Sequence, residues 1–142
     1  MTIAAILTSK GSEVLTVECD ATVRDAVALL AERKIGALPV VRAGAIAGIM
    51  SERDVIYRLR SDGAEILDWT VERIMTAPAI TVEPGTEIMS ALSLMTRRRI
   101  RHLPVVAGGT LIGLVSIGDL VKFRMDKIEA EAAAMLSYIQ SV

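Results

Sequence analysis

Two segments of the chain carry residue types at a spacing suited to recognising an anion and a diol. They are Gly48-Ile49-Met50-Ser51-Glu52-Arg53-Asp54 and Gly113-Leu114-Val115-Ser116-Ile117-Gly118-Asp119. In each, an apolar run ends at a serine and an aspartate follows three residues later. A helix that starts at the serine presents free backbone N–H groups and a partial positive charge, which suits phosphate. The hydroxyl adds a donor. A carboxylate one turn on can accept both hydroxyls of a ribose through charge-assisted hydrogen bonds. The same Ser-x-x-Asp spacing is close to a capping box, which only starts a helix. Its occurrence twice, each time after a buried-looking strand, shifts the balance toward a site.

The two segments belong to a longer repeat. At an offset of 65 positions, residues 14–55 lie on 79–120 without a gap, and fifteen of the forty-two columns are identical. Ten other columns exchange one apolar residue for another, such as Leu15/Ile80 and Ile49/Leu114. At 142 residues the chain suits one domain or two small lobes. A unit of about 60 residues buries too little surface to be robust alone, so the repeats are expected to share a core. Composition is 52% hydrophobic and 3% aromatic, as an aliphatic core requires. The methionines at 50, 75, 89, 95, 125 and 135 read as core filler.

Net charge is −1, so no global field recruits nucleic acid. Arg97, Arg98, Arg99 and Arg101 cluster locally, at a helix C-terminus where cations belong, and no aromatic residues interleave them for base stacking. Nucleic acid is therefore not the expected partner. The single cysteine, Cys19, allows no internal disulfide and supplies no metal-ligand set, which fits a reduced cytoplasm. Residues 3–7 are too short for a signal-peptide apolar region and lack a basic start. No run reaches transmembrane length.

Each repeat reads as strand, helix, strand, strand, helix. The pattern predicts strands over 14–17, 38–41 and 45–50, a helix capped by Thr22 and running to Lys34, and a second helix from Ser51 to about Arg60. Pro39 suggests that its strand is an edge or that the strand starts there. The second repeat predicts strands over 80–82, 103–106 and 111–115, a helix from Thr86 or Glu87 to Arg99, and a longer final helix from Ser116. The organisation expected is a first repeat over 1–62, a linker over 63–78 containing a helical turn over 69–75, and a second repeat with its C-terminal helix over 79–142.

The segments Ile35-Gly36-Ala37-Leu38-Pro39-Val40-Val41 and Ile100-Arg101-His102-Leu103-Pro104-Val105-Val106, each followed by Gly-x-x-Ser-x-x-Asp, resemble CBS domains. The chain as a whole is similar to a tandem CBS pair, or Bateman module, over nearly its full length. The resemblance implies an α/β fold of two βαββα repeats packed about a pseudo-twofold axis, with an extended C-terminal helix. It also implies a non-catalytic regulatory module that binds an adenosine-containing ligand between the repeats: AMP first, then NAD, ADP, ATP or S-adenosylmethionine. No metal is implied. One cleft would combine Ser116, Gly118, Asp119, Arg101 and His102 with Lys10, Leu15, Ile35 and Gly36. Its mate would combine Ser51, Arg53, Asp54, Gly36 and Ala37 with Met75, Ile80, Ile100 and Arg101.

The clefts are expected to differ. Arg101 and His102 stand where the first repeat has Gly36 and Ala37, so a phosphate near Ser116 could meet a guanidinium, an imidazole and helix N–H groups together. Glu52 beside Ser51 works against a phosphate there. Tighter binding is expected at the Asp119 cleft. His102 reads equally as a strand-edge residue; if it touches phosphate, affinity should fall as pH rises from about 6 to 8. No nucleophile–base pair is present, so no enzyme is expected. The final helix offers Leu120, Phe123, Ile128, Ala132, Met135, Leu136 and Ile139 for burial, more than one repeat needs. The excess reads as a homodimer face, with a separate effector protein as the output. The competing reading is a dimerisation scaffold whose Ser-x-x-Asp elements are only caps.

Overall fold

The computed structural model describes residues 1–11 and 13–141. Its elements in chain order are α1 (Ile3–Lys10), β1 (Val17–Glu18), α2 (Val23–Arg33), β2 (Ala37–Arg42), β3 (Ala45–Ser51), α3 (Glu52–Asp62), a 3-10 turn (Ala64–Asp68), α4 (Val71–Ile74), α5 (Ile88–Arg98), β4 (His102–Ala107), β5 (Thr110–Ser116) and α6 (Ile117–Gln140). β1, β2 and β3 form one sheet with β2 central, and β4 pairs with β5 in the other. The second repeat keeps only a single parallel bridge, Val82 to Val105, where the first has β1 on β2.

Local chemistry accounts for the boundaries. The Thr22 side chain accepts the Asp25 N–H at 3.1 Å and starts α2. Both hairpins close through two-residue turns with positive φ at each central residue, Ala43-Gly44 and Gly108-Gly109, the geometry that matches strand twist. The strand containing Pro39 is not an edge. Pro39 lies inside central β2 opposite Ile49, which exchanges both of its backbone hydrogen bonds with Thr76 instead. The proline's missing N–H therefore costs the β2–β3 ladder nothing.

The repeats do not share one core. The first core gathers Val23, Ala26, Leu30, Leu38, Val40, Met50 and Val55, and the second gathers Val82, Ile88, Ala91, Met95, Leu103, Val105, Val115 and Leu120. Each is completed by a segment from outside the aligned repeat. Ile66, Val71 and Ile74, in the stretch read as a linker, fill the first core, while Ile3, Ile6 and Leu7 of α1 fill the second. The 65-residue offset places α1 in register with residues 68–75. The two clasps are thus repeat equivalents: each packs on the repeat that the other clasp precedes, so the chain ties its lobes together. Of the methionines read as core filler, Met50 and Met95 are buried, whereas Met89, Met125 and Met135 are exposed.

The clasps seat on equivalent glycines. A Cβ on Gly48 would stand 2.6 Å from the Thr76 carbonyl oxygen and 2.8 Å from Met75 Sδ. A Cβ on Gly113 would meet Leu7 Cδ2 at 2.6 Å. One obstacle is fixed backbone and the other is a mobile side-chain tip. Gly48→Ala is therefore expected to cost about 1–3 kcal/mol in urea denaturation, the usual penalty of overpacking, and Gly113→Ala less. Equal losses in the two variants would contradict this difference between the clasps.

Candidate functional site

The Ser-x-x-Asp elements are complete capping boxes at the starts of α3 and α6. The Ser51 hydroxyl accepts the Asp54 N–H at 3.3 Å, and Asp54 Oδ2 accepts the Ser51 N–H at 2.8 Å. In the second repeat the corresponding distances are 3.1 and 2.9 Å. Capping occupies one carboxylate oxygen in each case. The surroundings of the two carboxylates then diverge.

Asp54 opens onto a cleft of about 340 Å³ built by both repeats. Ser51, Arg53, Asp54 and Tyr57 line it from the junction of β3 and α3, and Gly36 and Ala37 from the start of β2. Thr76 and Ile80 come from the segment before α5, and Arg98, Arg99, Ile100, Arg101 and His102 from the α5–β4 junction. Thr76 Oγ1 donates to Asp54 Oδ1 at 3.0 Å and holds the carboxylate toward the cleft. Arg53 reaches across to donate to the Arg99 carbonyl at 2.8 Å, and Arg101 stands 3.5 Å from Glu52. Both partners in that last pair are exposed, so it contributes little to stability. A larger and shallower recess of about 640 Å³ adjoins the cleft. It is lined by Val27, Leu30, Ile35, Ser116 and Ile117 among others, and it shares Gly36, Glu52, Arg101 and His102 with the cleft.

Asp119 lines neither cavity. Its Oδ2 accepts Lys10 Nζ at 2.7 Å, and the same ammonium donates to the Leu114 carbonyl at 2.7 Å. Burial opposes ionisation of Asp119, but the hydrogen bonds from Lys10 and Ser116 and the lysine's charge hold its pKa below the ordinary carboxylate value. The ammonium bonds the same oxygen that caps Ser116 and sets a positive charge against the carboxylate a ribose would meet.

The sequence-derived sets are therefore assembled unequally. Ser51, Arg53, Asp54, Gly36, Ala37, Ile80, Ile100 and Arg101 meet in one cleft. Met75 does not join them: its side chain packs over Gly48 and against the first core, and Thr76, one residue on, faces the cleft in its place. In the other set, Ser116, Arg101, His102, Ile35 and Gly36 line the shallow recess. Lys10 is bound to Asp119, Leu15 packs against the first core, and Gly118 lies exposed in the first turn of α6. Arg101, which the sequence reading gave to both sets, lines both cavities, because α5 ends between the two lobes. Sequence reasoning missed Tyr57, Thr76, Arg98 and Arg99. Tyr57 was findable, since it follows Asp54 by three residues on a helix and so shares its face. Thr76 carries no local signal.

Among the described residues no group of three or more His, Cys, Asp or Glu side chains could hold a metal ion, and no helix is long and apolar enough to cross a membrane. The CBS domain family matches residues 4–61 and 71–126. The chain belongs to the CBS domain family. A CBS domain-containing protein from Arabidopsis thaliana, CBSX3, named as mitochondrial, is 38% identical, with 98% of this chain and 72% of that protein covered. The solved structure of a putative signal-transduction protein with CBS domains from Burkholderia ambifaria superposes with a TM-score of 0.84 at 44% identity, covering 89% of this chain and 95% of that one. The structure of CBSX2 in complex with AMP superposes at 0.70 with 28% identity, covering 82% and 90%. The chain is thus a CBS pair, a regulatory module of a kind with adenosine-ligand-binding members.

His102 links the two cavities. A Cβ on Gly36 would lie 3.1 Å from its Cε1, so the ring of one repeat packs on the bare backbone of the other. Burial and the neighbouring Arg101 charge lower its pKa, with Glu52 and Asp119 opposing. At neutral pH the ring meets any ligand uncharged, and its titration window lies lower than the sequence alone implies. The unfolded chain titrates near about 6.5, so the folded state resists a proton that the unfolded state accepts. The stability this group contributes is full above that pH and is lost as pH falls below it. Thermal unfolding from about pH 7.5 to about 5.5 should show a steeper fall in Tm for the wild type than for His102→Gln. Parallel curves would remove His102 as a source of acid lability.

Proposed function

We propose that this CBS pair is a non-catalytic sensor that binds an adenosine-containing nucleotide, AMP foremost, in the Asp54 cleft and signals to a separate effector protein. ADP, ATP, NAD and S-adenosylmethionine belong to the same ligand class. The observation that carries this reading is the convergence on one cleft of a helix N-terminus, the Asp54 carboxylate held by Thr76, and arginines 98, 99 and 101 from the other repeat. The helix N-terminus and guanidinium forks suit the phosphate, Asp54 suits the ribose, and Ile49, Ile80 and Ile100 offer apolar surface to the base. Its volume of about 340 Å³ lies within the range of small-molecule sites. The AMP complex of the relative CBSX2 supports the choice of AMP.

This reading prefers the Asp54 cleft over the Asp119 cleft that sequence reasoning favoured, because Lys10 already neutralises Asp119. Regulation further requires that nucleotide bind two states of the protein with different affinity. We place the sensor in the cytoplasm, in keeping with the free thiol of Cys19, and as a homodimer, supported by the exposed apolar face of α6. The second reading is a scaffold without a physiological nucleotide. It is favoured by the completeness of both capping boxes, which gives Asp54 and Asp119 a purely structural task.

Thermal unfolding of nucleotide-stripped protein separates the two. A ligand at a hundredfold its Kd should add about 2.7 kcal/mol, or about 5–10 °C in Tm for a chain of this size. AMP is expected to do so and GMP is not; a flat panel would leave the scaffold. Asp54→Ala should weaken AMP binding by about 1.5–3 kcal/mol, the value of hydrogen bonds to a charged group, while Asp119→Ala leaves it nearly unchanged. Calorimetric titration should give one AMP per wild-type chain and a second equivalent in Lys10→Met, where the ammonium no longer covers Asp119. An unchanged stoichiometry in Lys10→Met would show that the lysine is not what closes that side.

A further inference from the structure

Beyond Arg124 the long helix α6 leaves the body of the protein. Every described residue from Met125 to Ser141 is exposed, and Leu120 is the only residue of α6 in the buried core. The apolar residues on this free stretch are nevertheless ordered along the helix. Val121, Met125, Ile128, Ala132, Met135 and Ile139 follow one another at alternating steps of four and three residues. That is the 3.5-residue repeat of a coiled-coil seam, with Met125, Ala132 and Ile139 in the a positions and Val121, Ile128 and Met135 in the d positions. The large residues of the seam are 42–62% exposed, and no other described residue buries them.

The flanking charges select the partner and its direction. The seam is bordered by Lys122, Glu129 and Leu136 in the e positions and by Arg124, Glu131 and Tyr138 in the g positions. In a parallel pair of these helices, Arg124 of each copy faces Glu129 of the other, giving two opposite-charge contacts across the twofold axis. An antiparallel pair that keeps Val121–Ile139 in layer register brings flanking positions against their own kind. Glu129 then meets the Glu129 of the second copy, and Glu131 meets Glu131. Like charges at close range are destabilising. Ala132 at the middle of the seam lets two helices approach closely.

We infer that α6 pairs with α6 of a second copy as a parallel two-stranded coiled coil, an inference that rests on the homodimer proposed above and gives it a seam and a polarity. The pairing holds both CBS bodies at the same end of the coil and leaves the C-terminal turns side by side.

The test uses the full chain, stripped of nucleotide. Wild-type protein should sediment as a dimer, and Met135→Asp should raise the dimer dissociation constant by about tenfold or more. Ser137→Asp, on the outer face of the same helix, should leave it unchanged. Met135 is exposed in the single chain, so far-ultraviolet circular dichroism and cooperative unfolding should show the variant still folded. In a Cys19→Ser background, Met125→Cys and Ile139→Cys should each form a disulfide with the same position of the second copy under mild oxidation. A wild-type monomer would overturn the coil and the homodimer together and leave the seam to another protein. A dimer that survives Met135→Asp would overturn the coil and keep the homodimer on another face. A trimer would overturn the two-stranded form, and failure of both cysteine variants to self-link would overturn the parallel direction.

Discussion

The fold depends on the exchange of two short clasps between its lobes. Neither repeat has enough apolar surface to close its own core, so each borrows a segment with the same place in the 65-residue pattern. The segment containing α4 covers the first core and α1 covers the second. Both seat on a glycine of a buried strand, Gly48 or Gly113, where any larger residue would collide with the clasp. Burying Ile3, Ile6 and Leu7 on one side and Ile66, Val71 and Ile74 on the other makes each lobe's hydrophobic stabilisation conditional on chain outside its aligned repeat. The crevice between the lobes is a consequence of this tie.

The same exchange breaks the symmetry of the site. Each clasp ends beside the capping aspartate of the repeat it covers, but the residues it delivers differ. Position 10 is a lysine and its equivalent, position 75, is a methionine. The lysine reaches Asp119 and bonds it directly, whereas Met75 turns onto Gly48 and the following Thr76 gives Asp54 only a hydroxyl. An ammonium at 2.7 Å offsets a carboxylate's charge, while a hydroxyl orients one without cancelling its charge. A nearly symmetric scaffold thus presents one carboxylate on a cleft without a counter-charge bonded to it and one paired with an ammonium. The capping boxes are alike in both, so the difference does not arise in the helices.

Surface composition around α6 follows a different logic. The first turn of the helix is anchored by Ser116, Asp119 and buried Leu120, Phe123 packs against the second core, and the length beyond Arg124 contributes nothing to it. Leaving Met125, Ile128, Met135 and Ile139 in water carries a cost that a monomer has no means to offset, and an unpartnered helix of this length is marginal on propensity alone. The regular spacing of those residues and the placement of Arg124 and Glu129 beside them give the exposed stretch a shape that another helix can meet.

Much of the fold was legible in the residues. The 65-residue repeat, the Thr22 cap, the two glycine turns and the Ser-x-x-Asp starts all act over a few neighbouring positions, and the structure places α2, β2, β3, α3, α5, β4, β5 and α6 within a few residues of where those signals put them. The family followed from the same local patterns. Less legible were the two separate cores, helix α1, the packing of α1 and of the expected 69–75 turn as clasps, and the reduction of the first strand to Val17–Glu18 or a single bridge at Val82, since each depends on which distant segment wins the available apolar surface. Sequence by itself determined two like lobes, each with a carboxylate at a helix start. Tertiary structure alone decided that Lys10 closes one carboxylate and Thr76 presents the other, because a contact spanning 109 residues is set by packing and not by any spacing along the chain.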